Sequence, residues 1–296
     1  MTYAKGKHSI KSKNKSRKNV TYVVVPVVIA LGIYAGYKEI SHMLSSPSKK
    51  VEQKVVQLPQ EILESKDPVI ENLVKLAPQY PQVYEILKDT KQYPEEFLEL
   101  ASKKPETINF VVDYPKHKTS TDNTPIDIRN DYKKEEIPLF MQWDERWGYD
   151  KYGPDFFAIN GCGPTALAMV TVGLTGNTNI NPRYIENFSK ENGYLVNGVG
   201  TSWSLMTEGA RKLGLKSKVI PLSASSIIST LKKGHPIIVT MGPGHFTKEG
   251  HYIVLTGVTD DGKIKVNDSD SKKRSSETWD VDVFLKEAKN LWAFSL

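Results

Sequence analysis

The chain has 296 residues, 39% hydrophobic and 25% charged, which is enough apolar material for one large domain or two modest ones plus a tail. The net charge of +6 is carried by residues 1–19, where Lys5, Lys7, Lys11, Lys13, Lys15, Arg17 and Lys18 occur without a single acid; setting these seven aside leaves the remainder at −1. The excess of base therefore describes a tail and excludes a nucleic-acid-binding reading of the folded part. Residues 20–37 follow without a charge. That length reaches the lower limit of a membrane-spanning helix. The basic stretch before it places the N-terminus in the cytoplasm, and Tyr22, Tyr34 and Tyr37 sit near the ends as interfacial aromatics do. A cleaved signal peptide is the alternative, with a secreted product. The apolar run is longer than a usual signal core and no Ala-x-Ala site follows, which favours an uncleaved anchor over 20–40. Everything after residue 40 is then expected outside the cytoplasm.

Residues 41–58 are polar and read as a stalk. From 59 to 114 the sequence predicts short helices over 59–65, 68–76, 81–90, 94–103 and 105–114, each opened by a proline near its first turn. Such a series resembles a solenoid of hairpins, with a packing, spacing or partner-docking role and no evident chemistry. Residues 115–136 read as a polar linker. Beyond it, helices are expected from Cys162 to a stop at Gly176, over 182–192, over 202–213 closed by Gly214, and over 223–233. Strands are expected over 236–241, 251–258, 262–267 and 291–294. Helices first and antiparallel strands second make residues 137–296 an α+β domain.

The chemistry gathers around Asn160-Gly161-Cys162-Gly163-Pro164-Thr165-Ala166, which holds the chain's single cysteine. The two glycines permit a tight entry and close approach by a neighbour, and Pro164 fits a first helical turn. A thiol at that entry sees the positive end of the helix dipole, a field that favours thiolate, the nucleophilic form. With no partner for an internal disulfide, the alternatives are a buried structural thiol and a reactive one.

A cysteine nucleophile needs a base, and the base needs an orienting group. His8 lies in the tail, His42 beside the membrane segment and His117 in the linker, so His235, His245 and His251 remain. His235 reads as a solvated turn residue. His245 sits in the glycine-rich loop Gly242-Pro243-Gly244-His245, and His251 opens a strand that fixes the direction of its ring; His251 ranks first and His245 second. The segment Thr259-Asp260-Asp261-Gly262 is a hairpin turn signal. If it forms the loop, Ile253 faces Asp268 and His251 faces Asp270. One sheet face then carries Ile253, Leu255, Ile264 and Val266, with His251, Asp268 and Asp270 at its far end. Asp268, the diagonal neighbour, is the orienter of choice and Asp270 the fallback. No zinc spacing and no phosphate-binding loop occurs, so no metal or cofactor is expected.

With these residues in order, 137–296 resembles the papain-like cysteine peptidases of the bacteriocin-processing, double-glycine leader type, and more closely their stand-alone relatives in Gram-positive bacteria. The matching pieces are Gln142-Trp143-Asp144, Gly161 to Ala166, Gly234-His235-Pro236-Ile237-Ile238-Val239, Gly250-His251-Tyr252 and Val266-Asn267-Asp268. The resemblance implies a papain-like fold, Cys162 as nucleophile, His251 as base, Asp268 as orienter and Gln142 as an oxyanion donor beside the Cys162 backbone N–H. Where that family usually has proline after the aspartate, this chain has Ser269. The expected activity is hydrolysis of a peptide or protein through a thioester outside the membrane, so a leader peptide processed inside the cell does not carry over as substrate. The same residues also suit an amidase or acyl-transferring enzyme, or a papain-like shell kept as a binding module.

Overall fold

Short amphipathic helices open the structure. The computed structural model describes residues 58–118, 125–196, 198 and 200–296. The expected tail 1–19, anchor 20–40 and stalk residues 41–57 lie outside the described residues. Among the described residues no helix is long and apolar enough to cross a membrane. The first helices are α1 (Gln60–Leu63), α2 (Pro68–Leu76), α3 (Val83–Lys88), α4 (Glu95–Lys103) and α5 (Ile108–His117). Proline opens α2 at its first position, and the Asp67 carboxylate accepts the Val69 N–H at 2.8 Å, satisfying a donor the helix leaves unpaired. A single 3-10 turn, Pro105–Thr107, links α4 to α5.

These helices do not stand apart as a free stack of hairpins. Phe97 of α4, fully buried, has ring neighbours on both sides: Phe110 and Tyr114 of α5 at 5.2 and 5.1 Å, and Phe156 and Tyr149 of the later region at 4.4 and 6.2 Å. Phe110 stacks on Tyr149 at 4.3 Å, and the Tyr149 hydroxyl donates to the Phe110 carbonyl at 2.6 Å. One apolar core thus runs from Ile62 through Phe97 to Met141, Trp143, Phe156 and Ala158. In the segment expected as a linker, Ile128 is fully buried in a second core and α5 continues through Pro115 to His117.

Two small strands, β1 (Lys151–Tyr152) and β2 (Asp155–Phe156), lead to α6 (Phe157–Asn160) and then α7 (Cys162–Thr175). From Gly163 to Val172 every residue of α7 is buried. A helix apolar on all sides has to be enclosed on all sides, and α7 is the axis around which the second core closes. Gly176 ends it in the left-handed conformation, φ 69°, its N–H returning to the Val172 carbonyl. Next come α8 (Pro182–Glu191), β3 (Leu195–Val196) and β4 (Gly200–Thr201). The expected helix 202–213 is broken: a 3-10 turn, Trp203–Met206, is followed by α9 (Glu208–Lys212), with Thr207 between them out of helical geometry at φ −111°, ψ −75°.

The remainder is β5 (Lys216–Val219), α10 (Ala224–Lys232), β6 (Ile237–Met241), β7 (His251–Val258), β8 (Ile264–Asn267), α11 (Lys272–Ser276), β9 (Thr278–Trp279), α12 (Val281–Glu287) and β10 (Ala288–Ser295). Six of these strands form one antiparallel sheet in the order β5-β10-β6-β7-β8-β9. Strand period two sorts its residues. Ile238, Tyr252, Val254, Trp292 and Phe294 pack toward α7. Ile237, Val239, Ile253, Leu255, Ile264 and Val266 pack with α10 and α12 residues on the other face. Both faces are covered, which is why β7 opens with five buried residues in succession.

The β7–β8 hairpin pairs Val254 with Asn267 and Leu255 with Val266, the register that brings Ile253 toward Asp268. Nearer the turn a bulge shifts the pairing to Gly257 with Lys265 and Val258 with Ile264, so the expected alignment holds at the end that matters for the histidine. Helix plus antiparallel sheet is the α+β arrangement expected of residues 137–296. β5, α11 and α12 carry no expectation from the sequence; each is short, polar on its exposed side, and set by what it packs on.

Because Phe97 seals the join, Phe97→Ala should destabilise the protein by about 3–5 kcal/mol. Urea denaturation followed by tryptophan fluorescence should show one transition at a lower midpoint for the variant. Two transitions, with only the first one shifted, would mean that the helices and the sheet region fold separately.

Candidate active site

Cys162 is the first residue of α7, half-buried, with its sulfur packed at the margin of the core. Its position depends on two glycines. A Cβ on Gly161 would lie 2.5 Å from the Phe157 carbonyl oxygen, and one on Gly163 would lie 2.6 Å from Thr201 Oγ1. The first contact is the close backbone approach expected from the motif; the second brings β4 against the helix start. Thr201 is itself pinned, its hydroxyl 3.0 Å from the Tyr152 hydroxyl and its carbonyl accepting from the Tyr252 hydroxyl at 3.0 Å. No acceptor takes the Cys162 backbone N–H among the described residues. That leaves an open donor beside the sulfur.

His251, the first residue of β7, is buried, and its Nε2 lies 2.7 Å from Asp268 Oδ1. Cys162 is the ring's other interacting partner, and with Nε2 committed to Asp268 the remaining ring nitrogen is Nδ1. Burial alone disfavours a charged imidazole, but the Asp268 charge and hydrogen bond, with a smaller part from Cys162, outweigh it and hold the ring's pKa above its ordinary value. Asp268 is 0% exposed. Burial pushes against its ionisation as well, and His251 together with Arg274 overcomes this, so its carboxyl stays below the usual range. Both of its oxygens are engaged: Oδ1 also accepts the Asp270 N–H at 2.9 Å, and Oδ2 accepts from Arg274 Nε at 2.5 Å.

Asp268 therefore holds the ring, and the fallback Asp270 does not. Asp270 instead takes Arg274 Nη2 at 3.1 Å and an ion pair from Lys104 at the end of α4. His245, the second-ranked base, sits exposed on its loop and pairs with Glu287. His235 lies half-buried in the turn before β6.

Gln142 is the correction. It is buried and lines the cleft, but its two amide hydrogens go to the carbonyls of Ala158, at 2.9 Å, and Ile159, at 3.1 Å. Exchanging its oxygen and nitrogen would turn Oε1 onto two carbonyls, so this orientation is the one the surroundings support. Its Oε1 accepts the Ser269 hydroxyl at 3.0 Å and its backbone N–H goes to the Ser269 carbonyl at 2.8 Å. Gln142 thus ties the backbone entering Cys162 to the residue after Asp268, and its donors are not turned to the sulfur. Ser269, in the place where proline was the familiar residue, makes that tie.

A cleft of about 750 Å3 opens over Cys162 and His251. Its lining includes Gly200, Thr201 and Trp203, the last 49% exposed. Lys103, Lys104, Asp270, Arg274 and residues 244–250 line it as well. Sequence reasoning passed over Arg274 and Lys104. Arg274 lies in the basic run 272–274, which reads as a solvated patch, and Lys104 lies more than 160 positions from its partner.

A family model described as the Peptidase_C39 like family matches residues 134–294. The chain belongs to that family. No curated protein sequence matches it. Membership in the Peptidase_C39 like family accounts for the papain-like arrangement of a helix-borne cysteine against an antiparallel sheet, and it carries a cysteine-peptidase type of function. The match begins at residue 134, after α5, so the helices over 60–117 lie outside it.

The His251–Asp268 pair has a defined pH signature. The lowered Asp268 pKa stabilises the fold fully above the unfolded carboxylate value of about 3.9, a contribution lost as pH falls through the folded value. The raised His251 pKa stabilises it fully below the unfolded imidazole value of about 6.5, a contribution lost as pH rises through the folded value. Asp268→Asn should therefore cost most stability between about pH 4 and pH 6.5 and less on either side. Urea midpoints of the two proteins measured across pH check this; a difference that stays constant with pH would remove the ion pair.

Proposed function

We propose that this chain is a cysteine peptidase in which Cys162 attacks the scissile carbonyl, His251 manages the proton and Asp268 orients the ring. The reading is carried by the buried 2.7 Å bond between His251 and Asp268, with Cys162 and His251 lining the same cleft. The sulfur adds to the carbonyl carbon, and charge develops on its oxygen. The open Cys162 N–H is placed to receive that charge. His251 then gives a proton to the departing amine as the C–N bond breaks, leaving a thioester on Cys162. Water, deprotonated by His251, adds to the thioester, and the acid leaves with the thiol restored. Asp268 stays ionised throughout and stabilises the imidazolium.

In this reading Gln142 acts by holding the two strands of backbone that carry Cys162 and Asp268 in register, rather than by donating to the oxyanion. The substrate is a peptide or protein segment able to enter an open cleft. The domain works outside the cytoplasm, tethered by residues 20–40 with the basic tail inside; the charge asymmetry and the uncharged run support this. The relation to stand-alone Gram-positive enzymes belongs to the same proposal and rests on the motif likeness.

Iodoacetamide at neutral pH should alkylate Cys162 readily, and His251→Ala should slow this by about 100-fold or more, the scale of a lost general base. Peptide hydrolysis, followed by mass spectrometry on a peptide library, should vanish in Cys162→Ala. Cleavage that survives Cys162→Ala, or alkylation indifferent to His251→Ala, would end the peptidase reading.

A further inference from the structure

The helices over 60–117 lie outside the matched family region, yet their α4–α5 corner reaches the loop that carries Asp268. Lys104, just past the end of α4, forms an ion pair with both carboxylate oxygens of Asp270; the two side chains are 30% and 13% exposed. Asp270 shares Arg274 with Asp268, and its own N–H goes to Asp268 Oδ1. Two residues on from Lys104, Glu106 accepts the Lys272 N–H at 2.9 Å. The Lys272 ammonium lies 4.8 Å from the Trp143 ring, whose Nε1 donates to the Asp270 carbonyl at 3.3 Å. Loop 268–274 is therefore clamped from outside at two points, both of them on the same corner.

We propose that Lys104 is a positioning residue: through Asp270 and Arg274 it holds the Asp268 carboxylate against His251, and so makes the N-terminal helices part of the catalytic device. Asp270 is shared between two cations. Without Lys104, its charge is answered by Arg274 alone, and Arg274 must then serve the buried Asp268 and the half-buried Asp270 with one guanidinium. The bond from Nε to Asp268 Oδ2 loosens, and the carboxylate gains freedom to turn away from the imidazole. The absence of a charge partner matters here because Asp270 is largely desolvated. Lys103, beside it, pairs instead with Glu99 on its own helix and has no such reach.

This inference rests on the Cys162–His251–Asp268 reading, and the test separates the two. The full chain is alkylated with iodoacetamide at neutral pH, with the Cys162 adduct quantified by mass spectrometry and folding monitored by thermal midpoint. Lys104→Met should slow alkylation roughly five- to tenfold, the scale on which one member of a shared charge network alters its neighbours. Lys104→Arg should restore the rate to within about twofold, since it keeps the charge. Lys88→Met, which breaks an exposed pair with Glu85 elsewhere on the helices, should leave it unchanged. If Lys104→Met does not fold, Lys104→Gln, which keeps a donor and loses the charge, should show the same slowing. A wild-type rate in the folded Lys104 variant, with His251→Ala still slow, overturns the positioning role alone. Indifference to His251→Ala removes the triad and this proposal with it.

Discussion

A carboxylate with no exposure to water lies at the centre of this molecule. Burying a charge costs far more than one neutral hydrogen bond returns, so such a group persists only when it is paired and hydrogen-bonded. Asp268 meets that condition with an imidazole, a guanidinium and a backbone N–H around its two oxygens. The need to satisfy it explains the next shell. Arg274 is placed by α11, whose first turn is capped by Ser271, and the Asp268 backbone N–H is taken by Ser275 of the same helix. A five-residue helix with no apolar face forms there because it carries the counter-charge.

The same logic links elements distant in sequence. Gln142, in the irregular segment before β1, joins the carbonyls of Ala158 and Ile159 to Ser269. One amide group thereby fixes the distance between the entry to α7 and the loop after β8. Cys162 and Asp268 approach the imidazole from these two directions. The cleft between them is built less by a rigid frame than by a few fully occupied polar side chains at its base.

The N-terminal helices are best understood by what they seal. Met141, Trp143, Phe156 and Ala158 are the apolar side of the segments that lead into the site, and the helices supply the other half of that core. Without Phe97, Phe110 and their neighbours, these residues would face water, an apolar patch that a soluble surface does not carry unexplained. The corner that completes this seal also presents Lys104 to Asp270, so cover and charge arrive together.

How much of this was legible depends on range. Local patterns are legible in the sequence. The glycine-flanked cysteine at a helix start, the stop at Gly176 and the strand that His251 opens all follow from contacts within a few residues. The hairpin that brings Asp268 back to it is set by its own turn. Broken or short elements are not: the expected helix over 202–213 gives way at Thr207, and α11 and α12 have too few residues to show a period. What the chain by itself determined is which residues come forward as candidate nucleophile, base and orienter, because a glycine-flanked helix start at Cys162, a strand start at His251 and a hairpin returning to Asp268 follow from local spacing. What only the tertiary structure decided is how their charges are balanced. Gln142 turns to carbonyls, Arg274 to a buried aspartate and Lys104 to a loop across the molecule, since a desolvated charge selects its partner by distance in space and leaves no periodic trace along the sequence.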